Sequence, residues 1–239
     1  MTKEDQLIKA AQNGNLQQVK QLVQKGANVH AYDNEALSGA AEFGHLGVIR
    51  CLVGNGVDIH AQDDLALRLA ALNGHLEVVK FLVENGANIH ADDDDALISA
   101  AMNGHFETAK YLVQKGADIH ARNDETLRLA ALHGCLKIVK YLADQGANIH
   151  ALDNHALGLA AKQGHLQIVK FLIENGANIH ARDHQALRYA QKNKHYKVVR
   201  YLEDCQSTIQ YNTIQYNTIQ KNILLRECWI YNFPLKNKE

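Results

Sequence analysis

The chain is poor in the residue types that most often carry chemistry or tie a fold together covalently. Of its 239 residues four are cysteine, one is tryptophan and one is proline, and aromatics make up 6%. The cysteines, Cys51, Cys135, Cys205 and Cys228, form no CxxC pair. Their spacing fits neither a disulfide framework nor a zinc site, so a reducing, cytoplasmic compartment is expected. Net charge is −1, and no overall field draws the protein to nucleic acid or to an anionic membrane. Leucine, isoleucine and valine are never gathered into a stretch long enough to span a bilayer. The opening residues, MTKEDQLIKA, are charged from the third position and lack the apolar core of a signal peptide. There is no HExxH, no GxGxxG after a strand and no evident nucleophile–base pair, which removes the usual sequence grounds for an enzyme. No cofactor, metal, nucleic acid, membrane or small-molecule substrate is expected.

What the chain does have is a beat. His30, His60, His90, His120, His150 and His180 recur every thirty residues, each followed by alanine. Gly14 to Gly164 and Gly26 to Gly176 keep the same period. A fixed period of this length predicts a stack of small, similar units. In residues 31 to 60, Leu37, Ala40 and Ala41 share one face of a first helix, with Asp33 as its expected N-cap. Gly44 breaks that helix. Leu46, Val48, Ile49, Leu52 and Val53 then build the apolar face of a second helix, opposite Arg50, and Gly56 ends it. A single pair cannot bury these faces; stacking does.

The string AALNGHLEVVKFLVENGANIHA, residues 70 to 91, resembles the ankyrin repeat, and the resemblance runs from residue 1 to about 204. It implies an all-α solenoid of about seven stacked helix pairs: units 1–30, 31–60, 61–90, 91–120, 121–150, 151–180 and 181–204, the first and last as caps. Two departures stand out. The repeat is 30 residues rather than about 33, and a contracted D-x-x-A-L stands in place of the family's TPLH. Shortened repeats ending in GANIHA are similar to those of large DNA viruses. The contraction falls where the family projects a β-hairpin finger, so short loops are expected there. Polar outer residues such as Gln6, Gln12 and Gln18 in unit one, and Gln191, Lys194 and Glu203 in unit seven, suit caps that face water.

The histidine ladder invites a metal hypothesis, but zinc ligands must converge within about 2.0–2.3 Å of one ion. Ladder neighbours should instead stand about 8–10 Å apart, the spacing of packed helices. Each is expected to bond the backbone of a neighbouring loop. The second set, His45, His75, His105, His165 and His195, follows a glycine and is expected to start the second helix; Cys135 takes that place in unit five. The acidic run Asp92 to Asp95 lacks the spacing of a calcium loop and reads as caps and solvated loop tips.

What the resemblance implies for function is a non-enzymatic interaction scaffold that holds a partner protein of unknown identity. Binding is sought where units differ, on the concave face and loop tips: Asn34, Glu35, Glu42, Asp64, Leu65, Arg68, Leu72, Asn73, Asp94, Asp95, Met102, Asn103, Asp124, Glu125, Arg128, Leu132, His133, Asn154, His155 and Lys162. Leu69, Leu129 and Leu159 read as core between helix pairs, while Leu72, Met102 and Leu132 stay open between core and an apolar strip rimmed by charge. Arg68, Arg128 and Arg188 either pair with the loop acids or extend over the surface.

From residue 205 to 239 the pattern stops. TIQYN occurs twice and is followed by TIQKN, then by ILLRECWIYNF. A period of five fits neither helix nor strand, so a disordered or loosely docked tail is expected. Two alternatives to the scaffold remain: self-assembly or a virion role with the tail as the sticky end, and a ubiquitin-ligase adaptor, for which no convincing F-box-like segment is found. A monomer is expected.

Overall fold

A computed structural model of the chain describes residues 1–232, and among them there are fourteen α-helices and no strand. They come in pairs: α1 (Lys3–Gln12) with α2 (Leu16–Gln24), α3 (Ala31–Glu42) with α4 (Leu46–Gly54), and α5 (Ala61–Leu72) with α6 (Leu76–Glu84). Next come α7 (Ala91–Met102) with α8 (Phe106–Gln114), and α9 (Ala121–Leu132) with α10 (Leu136–Asp144). The row closes with α11 (Ala151–Gln163) and α12 (Leu166–Glu174), then α13 (Ala181–Lys192) and α14 (Tyr196–Asn232). Each pair packs only on its neighbours in the row. First helices pack on one another more extensively than second helices do, so the row is tighter on the first-helix side. Alanines allow this: Ala40, Ala41, Ala70, Ala71, Ala100 and Ala101 are all fully buried. One leucine per unit, Leu7, Leu37, Leu67, Leu97, Leu127 and Leu157, lies in the core beside them, and each contributes about 1.5–3 kcal/mol by leaving water.

The contracted segment is not a simple loop. At the start of each first helix from α3 on, three consecutive residues take left-handed backbone angles. They are Tyr32–Asn34, Gln62–Asp64, Asp92–Asp94, Arg122–Asp124, Leu152–Asn154 and Arg182–His184. This corrects the cap expected at Asp33: at φ 52° it is the middle of a left-handed turn, and the right-handed helix proper starts after residue 34. Such angles cost L-residues roughly 1–2 kcal/mol each, least for Asp and Asn. Aspartate or asparagine accordingly fills the middle position in all six units, and the third in five of them.

The third residue of the turn is buried, and its oxygen joins two units. Asn34, Asp64, Asp94, Asp124 and Asn154 accept the backbone N–H of Asp58, Asn88, Asp118, Asn148 and Asn178 at 2.7–3.3 Å. Glu4 does the same in unit one, for Asn28. Ladder histidines hold this oxygen from the other side. Nδ1 of His30, His60, His90, His120 and His150 lies 3.0–3.2 Å from it. Oxygen here can only accept, so Nδ1 carries the hydrogen. The ladder histidine that closes one unit therefore bonds the turn side chain of the next rather than a loop's backbone, and the same oxygen ties that turn to the loop that ends its own unit.

The second histidine set crosses directly. Nε2 of His45, His75, His105, His165 and His195 donates to a carbonyl of the preceding unit at 2.9–3.0 Å, and the first four do not cap their own helices through their side chains. Gly44 shows why glycine precedes it: φ is 76°, and a Cβ would sit 2.6 Å from His75 Nδ1. Lys194 can occupy the equivalent place at φ 61° because no eighth unit brings a histidine against it. Cys135 replaces the imidazole with a long Sγ contact to Met102 O at 3.8 Å.

The last unit differs from the rest. His184 stands where the others have Asp or Asn, and its Nδ1 receives the Gln206 amide at 2.8 Å. Gln206 itself holds the place where Gly26 to Gly176 end the other second helices. With no glycine or proline between Lys194 and Phe233, nothing in the sequence stops the helix. The segment expected to be a disordered or loosely docked tail therefore continues as α14 to Asn232.

The shared oxygen gives a direct test. Asp94→Asn keeps the acceptor and should change stability by less than about 1 kcal/mol, whereas Asp94→Ala leaves the Asp118 N–H unpaired and should cost about 1–3 kcal/mol. Chemical denaturation measures both, and equal losses would mean that the oxygen joins nothing.

Candidate functional site

The tighter packing of first helices makes their side of the row concave. On each first helix, positions 35, 38, 39 and 42 of the unit follow at i, i+3, i+4 and i+7, so they share the face turned away from the second helix. In the middle units this face carries Leu65, Arg68, Leu69 and Leu72, then Asp95, Ile98, Ser99 and Met102, then Glu125, Arg128, Leu129 and Leu132. Leu69, Leu72, Met102, Leu129, Leu132 and Leu159 are all half-buried. Those at position 39 are thus not closed core, and those at position 42 present part of the side chain to the groove. Ile98 and Ser99 are buried and break the strip's inner edge.

Of the other residues sought as binding groups, Glu35, Glu42, Asn73, Asn103, His133 and Lys162 are exposed, and Leu65, Arg68, Asp95, Glu125, Arg128 and His155 are half-buried. Five need correcting. Asn34, Asp64, Asp94, Asp124 and Asn154 are buried in the joints between units and are not loop tips open to a partner. The variation at this position runs only between Asn and Asp in units two to six, a sign that the shared oxygen was what mattered. What points outward instead is position 32, where Tyr32, Gln62, Asp92, Arg122, Leu152 and Arg182 range from aromatic and apolar to acidic and basic and all are exposed.

The acidic run is largely held by the protein itself. Arg68 pairs with Asp92 at 2.8 Å and Asp95 at 3.0 Å, and Arg122 reaches Asp92 from the other side at 2.9 Å. Arg128 donates to the carbonyls of Asn123 and Arg122 and lies 3.8 Å from Glu125. Arg188 pairs with Asp183. Among the described residues no three His, Cys, Asp or Glu side chains converge as they would on a metal ion. His180 and His184 stand at HxxxH spacing, but their Nδ1 atoms face each other at 3.3 Å.

His155 is the unusual group of this face. Its Nδ1 is buried without a hydrogen-bond partner. Burial first, then the charges of Arg182, Arg128 and Lys162, hold its pKa below the ordinary 6.5. The far side of the row carries a second pattern missed in the sequence. Cations opposite the apolar face of one second helix lie over the aromatic ring of the next: Arg50 over Phe81 at 4.9 Å, Lys140 over Phe171 at 5.7 Å and Lys170 over Tyr201 at 5.2 Å. Each such contact is worth about 0.5–1 kcal/mol when exposed and adds to the stacking. Its signal was the aromatic column Phe81, Tyr111, Tyr141, Phe171, Tyr201 at one repeat position.

The groove environment of His155 can be measured by NMR titration. Its midpoint should fall below 6.5, and Arg182→Gln should move it upward. The sign for folding follows. The unfolded chain takes up this proton first as pH falls, so the neutral ring favours the folded state less below the ordinary histidine value. A midpoint at the ordinary value in both proteins would show that the cations do not converge there.

Comparison with known proteins agrees with this geometry. The family model of ankyrin repeats in three copies matches residues 7–93, 37–123, 67–153 and 127–214. The crystal structure of the human ASB11 ankyrin repeat domain is similar at 25% identity and a TM-score of 0.71, covering 82% of this chain and 96% of that one. A search among curated proteins finds no match. With its stacked helix pairs and the family match running across nearly all of them, the chain belongs to the ankyrin repeat family.

Proposed function

We propose that the chain is a non-catalytic scaffold that holds a partner protein in its concave groove. The observation that carries this reading is the apolar strip of Leu69, Leu72, Met102, Leu129, Leu132 and Leu159. It is half-exposed and rimmed by charge, and no other element of the described chain covers it. Interface centres have this composition, an apolar patch inside a polar rim. The repeats add a second support. The same groups recur in equivalent places along the row, which suits an extended contact and not a single reacting centre. No helix among the described residues is long and apolar enough to cross a membrane. If the short repeat reflects a viral setting, the partner is a host protein.

Glutamate at Leu72, Met102 and Leu132 together should abolish recovery of the partner in affinity purification with mass spectrometry, while the thermal transition stays cooperative. Melting of the stack would make these residues core. Unchanged recovery would move the interface elsewhere.

One observation favours self-assembly as a second reading. Beyond Gln206, α14 runs on for about 39 Å at 1.5 Å per residue, and Tyr216 and Ile219 on it are 62% and 55% exposed. Size-exclusion chromatography of the 239-residue chain against residues 1–204 tests it: a larger species only for the longer chain supports association through α14. A monomer in both cases ends that reading.

A further inference from the structure

The charge along the concave row is not evenly spread. Helices α3, α5 and α7 carry nine carboxylates and one cation, Arg68, whereas α9, α11 and α13 carry four carboxylates and six cations. The internal pairs described above remove part of this contrast but not its sense. Asp64 and Asp94 are buried in the joints, and Asp92 and Asp95 are paired with arginines. Asp33, Glu35, Glu42 and Asp63 make no ion pair and face solvent. At the other end Lys162, Arg182 and Lys192 are exposed, and their side chains make no ion pair either. Among the described residues, four carboxylates without an ion pair thus stand at one end of the apolar strip, and three such cations with one carboxylate, Asp153, at the other.

The acidic end also has a receptacle. A cleft of about 500 Å³ lies between α1 and α3, lined by Asp5, Ile8, Lys9, Gln12, Asn13, Tyr32 and Glu35. Tyr32 is 57% exposed and its hydroxyl donates to Asp5 Oδ1 at 3.3 Å, which sets an aromatic ring beside two carboxylates. Lys9 is the one cation on its wall. A ring beside carboxylates accepts a lysine or arginine side chain by charge and by cation–π attraction.

We infer that the groove is polarised and takes an amphipathic helix of the partner in one direction only. Its cationic end lies over α3 and the Tyr32 cleft, its apolar stripe over Leu72, Met102 and Leu132, and its acidic end over α11 and α13. The inference rests on the concave-face reading above. The helical form follows from spacing. Seven residues of helix rise about 10.5 Å, close to the interaxial separation of about 8–10 Å between successive first helices. An apolar residue every seventh position therefore meets one groove residue per unit. Complementary charge at both ends fixes register and orientation more than it adds raw affinity, and it speeds encounter at low salt.

The test uses the 239-residue chain and two fluorescein-labelled synthetic helices of equal composition, both with leucine at every seventh position. One has lysines in its first half and glutamates in its second; the other alternates them. At low salt, fluorescence anisotropy should show the segregated peptide binding about tenfold more tightly. That advantage should vanish at 1 M salt, where screening shortens to about 3 Å. It should vanish equally in a variant carrying Asp33→Asn, Glu35→Gln, Glu42→Gln and Asp63→Asn. Asparagine preserves the left-handed turn, since Asn123 already occupies that place in unit five. Equal affinity for both peptides would overturn the polarity. If the Leu72, Met102 and Leu132 glutamate variant then lost both peptides, the concave-face reading would still stand. Binding of neither peptide overturns the inference, and binding that survives the triple substitution overturns the concave-face reading as well.

Discussion

The structure depends on one oxygen per unit. The Oδ1 of Asn34, and of its counterparts Asp64, Asp94, Asp124 and Asn154, is fixed by the histidine that closes the preceding unit and accepts a backbone N–H from the loop that closes its own. A buried N–H left unpaired costs about 1–3 kcal/mol, and each left-handed residue of the turn that delivers the oxygen carries a strain of about 1–2 kcal/mol, less for Asp and Asn. In units two to six the two occur together. In those units the turn aims the side chain inward and the bonds of the joint offset its strain. This also explains how a 30-residue unit does the work of a longer one. A single left-handed turn brings the chain into the first helix, and the contact between units is made by side-chain oxygen and not by a projecting finger.

From the joint follow the constraints on glycine and histidine. Gly44 and its equivalents leave room for the imidazole of the next unit, which reaches back to a carbonyl. Where the series ends, the constraint relaxes in step. Lys194 replaces glycine because no further ring approaches, His184 replaces the acceptor residue because no further N–H needs it, and Gln206 replaces the terminating glycine. The last change has the largest consequence, since α14 runs past the end of the stack. Capping here is less a matter of added polarity than of released obligations.

The period, the helix pairs and the buried leucine and alanine columns were legible in the sequence, because each is set by local spacing and by hydrophobicity. Leu37, Ala40 and Ala41 announce their face at i, i+3 and i+4. The left-handed turn was not legible. Asp33 in front of a helix is an ordinary N-cap pattern, and only the backbone angles distinguish it from the middle of a reversed turn. The candidate groove residues divided for the same reason. Exposed and half-exposed places such as Glu42, Leu72 and Leu132 follow from the helical wheel, whereas Asn34 and Asp94 went inward with the turn. The tail misled in the opposite way. Its five-residue repeat has no helical period, yet absence of glycine and proline was enough to let a formed helix propagate, since extension is far easier than nucleation.

The joints also determine where difference between units is permitted. A residue that supplies the acceptor oxygen, the crossing imidazole or the space beneath it is held to one or two residue types. The side chains at positions 32, 35, 38, 39 and 42 take no part in these bonds, position 42 giving only its backbone carbonyl to the crossing imidazole, and they are where the units diverge, from Tyr32 to Arg182 and from Glu42 to Lys162. Because the joint is rigid and repeated, a change at one of these positions alters the groove without moving its neighbours, so charge and apolar contact can be graded along the row one unit at a time. Leucine at position 42 in the third and fifth units, methionine between them, and glutamate and lysine beyond them on either side form such a gradient. Uniform joints keep successive groove residues at a constant spacing, and under the proposed reading that regularity lets a single straight helix of the partner meet all of them together.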